Sequence, residues 1–135
     1  MSTLIRSTTD LFIRLGLAAL ALTNAYIHST LGGPMFTLNA VGFAVLAVAL
    51  VAPVGIARDL RWLTRIALAG YAATTAIGWL LFGARYDVGY LSFGLDLAIV
   101  AIATLDSVLA DGSPVSVARR LIRFGTFHLP PPAGV

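Results

Sequence analysis

Four apolar stretches, each long enough to cross a lipid bilayer, leave this chain few folds to choose from. A helix crossing the hydrocarbon core needs about 20 mostly apolar residues. Residues 11–31, 35–54, 63–82 and 89–109 each meet that need. The links between them, "LGGP", "GIARDLRW" and "GARYDVGY", are short. Short links make successive helices antiparallel neighbours. The expected fold is therefore all-α: an integral membrane, up-down four-helix bundle over residues 1–112, followed by a cytoplasmic segment over residues 113–135.

Composition agrees. Hydrophobic residues make up 59% of the 135-residue chain and charged residues 11%. Soluble domains average roughly 45–50% and about 25%, so a soluble fold here would lack polar surface. The length allows one domain. The absence of cysteine excludes disulfides, thiolate metal sites and iron–sulfur clusters. The run around Leu15 to Leu22 has signal-peptide features, but Asp10 and Arg14 interrupt its start, so it is expected to stay as the first span. "STTD" before it is the predicted N-cap cluster, and Pro34 suits the first turn of span two.

Orientation follows from the arginines, because positive charge concentrates on the cytoplasmic side. Of the nine, only Arg85 falls on the outer side of this arrangement. Arg6, Arg14, Arg58, Arg61, Arg65, Arg119, Arg120 and Arg123 share the other side, which puts both termini in the cytoplasm. The implied location is a bacterial inner membrane. The net charge of +3 reflects this topology and not a nucleic-acid partner. Trp62 is expected at the inner interface, and Tyr86 and Tyr90 at the outer one.

Beyond span four, Ser113 and Pro114 open a short helix. Val117, Leu121 and Phe124 share one of its faces, and Arg119, Arg120 and Arg123 another, as in a helix lying on a membrane surface. Pro130, Pro131 and Pro132 exclude helix in the tail.

Helices associate in lipid through close packing and polar contacts. Gly70, Thr74 and Gly78 form a small-residue groove on span three. Gly94, Ala98 and Ala101 do so on span four, and Ala21 and Ala25 on span one. These grooves fit contacts within the bundle or with another subunit. Four polar residues are the candidate site. Asn24 and Asp96 both lie about 10 Å below the outer ends, at about 1.5 Å per residue. His28 and Asn39 lie slightly nearer the surface. The four are expected to meet in the outer half. Asp96 is then either an internal hydrogen-bonding partner or a proton or cation site, because an intramembrane carboxylate seeks protein or water. On span four it shares a face with Ser92, Ala103 and Ser107, opposite Gly94, Ala98 and Ala101. Asp106 is expected merely to reach the cytoplasmic interface.

His28 and His128 are the two histidines, and His128 falls in the tail, so haem held by two histidines of one chain is excluded. His28 alone leaves room for a pigment, a haem completed elsewhere, or a quinone. No zinc spacing, nucleophile triad, P-loop or dinucleotide fingerprint is present.

The segment "YIHSTLGGPMFTLNAVGF", Tyr26 to Phe43, resembles uncharacterised short four-span bacterial membrane proteins in which a histidine ends span one and "LNA-x-G" opens span two. That resemblance implies the four-span topology and no activity. The role expected from the sequence is a non-catalytic accessory subunit of a larger membrane complex, respiratory or photosynthetic, with partner subunits, itself or lipid as neighbours and no metal or resident cofactor. The alternatives are a homo-oligomeric channel or transporter using Asp96, and a pigment, haem or quinone protein using His28.

Overall fold

The computed structural model describes residues 2–126, and the side chains of residues 2–7, 111 and 114 fall outside what it describes. Every regular element among the described residues is helical: α1 (Ser2–Leu31), α2 (Pro34–Val51), α3 (Gly55–Asp59), α4 (Arg61–Phe82), α5 (Asp87–Asp111) and α6 (Pro114–Thr126). Four of them, α1, α2, α4 and α5, are long and apolar enough to cross a membrane. The expectations for Arg6, for His128 and for Pro130, Pro131 and Pro132 fall outside the described backbone or side chains.

Local chemistry sets the boundaries. Gly32 and Gly33 adopt φ values of 71° and 91° in the first link, a region open to glycine at little steric cost. Pro34 then starts α2 at a position whose N–H has no helical partner anyway. At the other end Pro53 forces Ala52 out of helical geometry, to ψ 132°, and α2 stops at Val51. This is earlier than the expected residue 54. The second link is not plain loop, since α3 occupies five of its residues. Its arginines serve the helix before it: Arg58 donates to the Pro53 carbonyl at 3.2 Å and Arg61 to that of Ala52 at 3.4 Å. Positive charge is thereby held at the negative C-terminal end of α2. Arg85 does the same for α4, donating to Leu80 at 2.8 Å while lying over the Trp79 ring.

One boundary differs more. "STTD" does not cap α1, because the helix runs through it from Ser2. Asp10 is spent on side-chain ion pairs instead of on backbone N–H groups.

The four long helices pack in a ring, α1 against α2 and α5, and α4 against α2 and α5. Helices α1 and α4 therefore sit at opposite corners. The core joins all four: Leu17, Phe43, Leu50, Leu68 and Ile99 are fully buried. Alanines fill the seams, among them Ala21 and Ala25 of α1, Ala47 of α2, Ala72 of α4 and Ala103 of α5. Small side chains let helix backbones approach closely. The α2–α4 seam needs even less: a Cβ at Gly42 would sit 2.2 Å from the Tyr71 hydroxyl oxygen. That ring packs edge-on against Phe43, with centroids 4.9 Å apart.

The glycine-bearing stripes of α4 and α5 are not among these seams. A Cβ at Gly70, Gly78 or Gly94 would meet no atom of a neighbouring helix within 4 Å. Gly70, Thr74, Gly94 and Ala101 are exposed and Ala98 is half-buried, so both stripes face outward. Large apolar side chains share that outer surface, including Phe12, Leu22, Val45, Ile77, Leu81 and Leu105.

Candidate functional site

Asn24 and Asp96 meet inside the ring. Asn24 is wholly buried and Asp96 is 1% exposed. The Asn24 carboxamide N–H donates to the Asp96 carboxylate at 2.6 Å. Its oxygen accepts from the Ser92 hydroxyl, also at 2.6 Å. One amide thus bridges two residues a helical turn apart on α5. The spacing explains why: Ser92, Asp96, Ile99, Ala103 and Ser107 line one face of α5, and that face looks inward.

His28 stands one turn above Asn24 on α1. Its Nδ1 lies 2.9 Å from the Asn24 carbonyl oxygen. A carbonyl only accepts, so Nδ1 carries the proton of this contact. The ring is 5% exposed and sits between Phe36 and Phe43, at 6.1 and 5.9 Å between centroids. Asn39 is elsewhere. Its side-chain oxygen accepts from Thr75 of α4 at 3.4 Å, across the α2–α4 seam. The expected meeting of four residues is therefore corrected to Asn24, Asp96, Ser92 and the adjoining His28. The reason is that α2 faces α5 across the ring's diagonal, so Asn39 at that seam turns to α4.

A second polar layer lies about 15 Å away along α5, at about 1.5 Å per residue. Asp106 is 6% exposed and so does not simply reach the interface. Its carboxylate pairs with the Arg65 guanidinium at 2.7 Å. Arg65 is itself 7% exposed and also bonds Asp10 of α1. Asp10 in turn pairs with Arg14 at 3.0 Å, one turn along α1. Two aspartates and two arginines thus balance in charge, and Arg65 spans the diagonal that the α1 and α4 backbones do not close. Taking two charges out of water is costly unless they are paired. The pairing here is what makes burial of Asp106 acceptable.

Sequence reasoning missed this layer. Arg65 looked like one more cytoplasmic arginine, and Asp10 like a cap. Two signals were present: Asp10 and Arg14 stand four residues apart on one helix face, and Arg65 lies a turn inside its span rather than in the link.

Between the layers the interior is apolar. Among the described residues, no group of three or more His, Asp or Glu side chains is placed to hold a metal ion. Helix α6 forms a separate feature at the lower end. The ring of Phe124 packs edge-on against Trp62 at 5.9 Å, and Arg120 lies 4.4 Å over the same Trp62 ring. Arg119 and Arg123 are exposed nearby. No known protein family matches this chain, and no curated protein or solved structure matches it either.

Proposed function

We propose that this chain crosses a bacterial inner membrane four times, with both termini cytoplasmic, and serves as a non-catalytic accessory subunit of a larger membrane assembly. The observation that carries the reading is the division of polar and small residues between the inside and the outside. The buried polar side chains of α1, α4 and α5 take partners within the chain: Asn24 with Asp96 and Ser92, and Arg65 with Asp10 and Asp106. The glycines of the α4 and α5 stripes point the opposite way, and a Cβ added at Gly70, Gly78 or Gly94 would meet no neighbouring atom within 4 Å. In lipid such stripes favour close approach of another helix. The interior is thus occupied with its own stability, and the exterior offers a surface for packing.

A transport role for Asp96 draws less support. Its carboxylate is enclosed, and fully buried Leu17, Leu50, Leu68 and Ile99 stand in the core it shares. A pigment, haem or quinone on His28 draws less support too, because that ring is 5% exposed and packed between Phe36 and Phe43. The test is purification of the tagged native protein in mild detergent. Stoichiometric co-purifying membrane subunits are expected. Recovery of the chain alone overturns the accessory role.

A further inference from the structure

We propose that α6 carries a binding site for the phosphate-bearing headgroup of an anionic phospholipid, made by Arg119, Arg120 and Arg123. The proposal rests on the membrane-spanning reading above and adds a ligand to it.

Three observations lead there. First, Ser113, Val115, Ser116, Arg119, Arg120 and Arg123 line an open groove of about 430 Å³. Three arginines line it from little more than one helical turn, and the guanidinium of one of them, Arg120, also lies over the Trp62 ring. Planar guanidinium donors match phosphate oxygens two at a time, which a point charge does not. Helix α6 contains no acidic residue, and among the described residues Arg119 and Arg123 have no ion-pair partner.

Second, the groove is fixed at one height. Trp62 is the second residue of α4, at the lower end of that span. Phe124 and Arg120 both pack on its ring. Tryptophan favours the level of lipid headgroups. The arginines are therefore held where phosphates of the cytoplasmic leaflet lie.

Third, the cationic groove adjoins uncovered apolar surface. Val115, which lines it, is 59% exposed, and Ile122 is 65% exposed. A free phosphate has no use for such surface, whereas the first carbons of an acyl chain bury it. The first turn of α6 is not the source of attraction. Ser113 Oγ accepts from the Ser116 N–H and Ser116 Oγ from the Ser113 N–H, so the helix start is capped by its own serines.

The experiment is native mass spectrometry of the detergent-purified full chain, titrated with phosphatidylglycerol or phosphatidylcholine of identical acyl chains. Retention of one phosphatidylglycerol at a concentration at least tenfold lower than for phosphatidylcholine is expected. R119Q/R123Q should abolish that preference. R119K/R123K, which keeps the charge and loses the planar fork, should weaken it several-fold. Equal retention of both lipids overturns the site, and so does full retention by the lysine pair, which marks a diffuse charged surface. Competition by inorganic phosphate as strong as by the lipid overturns the lipid as occupant. Membrane fractionation of the wild type is read separately. A chain in the soluble fraction overturns the four-span reading, whereas a membrane-held chain without lipid preference overturns only this site.

Discussion

Arg65 reaches Asp106 at 2.7 Å on the neighbouring helix and Asp10 on the helix diagonally opposite. One side chain therefore ties three of the four long helices together. Removing one member of a buried ion pair leaves the other charge uncompensated, at a cost of about 3–5 kcal/mol. Arg65→Met is expected to approach that range in denaturant titration of the detergent-held protein, reduced somewhat because Asp10 is partly exposed. Arg65→Met with Asp106→Leu should recover most of the loss. A double variant as unstable as the single one would show that the pairing is not what Arg65 supplies.

The upper layer behaves differently, because its members are hydrogen-bonded amide, hydroxyl and carboxylate. Interhelical hydrogen bonds in membranes average only about 0.6 kcal/mol. Asp96→Asn keeps an acceptor for the Asn24 N–H, so a loss of no more than about 1 kcal/mol is expected. Asn24→Ala instead strands the Asp96 carboxylate and the Ser92 hydroxyl, and a buried group left without its partner costs about 1–3 kcal/mol. The ordering is the prediction: Asn24→Ala destabilises more than Asp96→Asn in thermal unfolding. The reverse order would mean that the charge of Asp96 does something beyond accepting these bonds.

Glycines at two kinds of position should respond in opposite ways. At Gly42 an added Cβ collides with Tyr71, so Gly42→Ala is expected to destabilise by about 1–3 kcal/mol, as overpacking does. Tyr71→Leu should relieve it. At Gly70 and Gly94 an added Cβ meets open space, so alanine there should stabilise the isolated chain by about 0.5–1 kcal/mol through backbone entropy alone. Leucine at Gly70 and Gly94 should leave the purified chain folded but reduce recovery of co-purifying subunits. Unchanged recovery would remove these stripes from the assembly surface.

Topology can be read without background, because the chain has no cysteine of its own. Single cysteines at Ala57, in α3, and Ala84, between α4 and α5, should label from opposite sides of the membrane with an impermeant maleimide. Labelling of Ala57→Cys in intact cells would reverse the orientation argued from the arginines.

The helices were legible because hydropathy and length report on spans directly, and the first break fell at Gly32 and Gly33 as expected, whereas the stop before Pro53 came earlier than hydropathy alone suggested. The direction of α5 was legible only as a pair of alternatives, a polar face and a small face. The contact of Asp96 with Asn24 decides between them. Matching depth suggested that pair, since residues at one level in antiparallel helices can touch. Depth alone could not separate Asn39, whose partner depends on which corner of the ring α2 takes. The lower layer was hidden for a different reason. Arginines near a cytoplasmic boundary satisfy the topology rule whether they face water or protein, so the rule absorbed Arg65 and left nothing to explain.

The two interior layers also carry an order of events. Synthesis proceeds from the N-terminus, so Asp10, Asn24 and Arg65 are all made before the helix that holds Ser92, Asp96 and Asp106. Until α5 arrives, the Asn24 amide and the Arg65 guanidinium lack their α5 partners. Arrival of α5 satisfies Asn24 through Asp96 and Ser92, and Arg65 through Asp106, two heights fixed by a single helix. Sliding α5 by one turn would break both at once. Helix α5, made after α1 and α4, is therefore the one that sets their relative register.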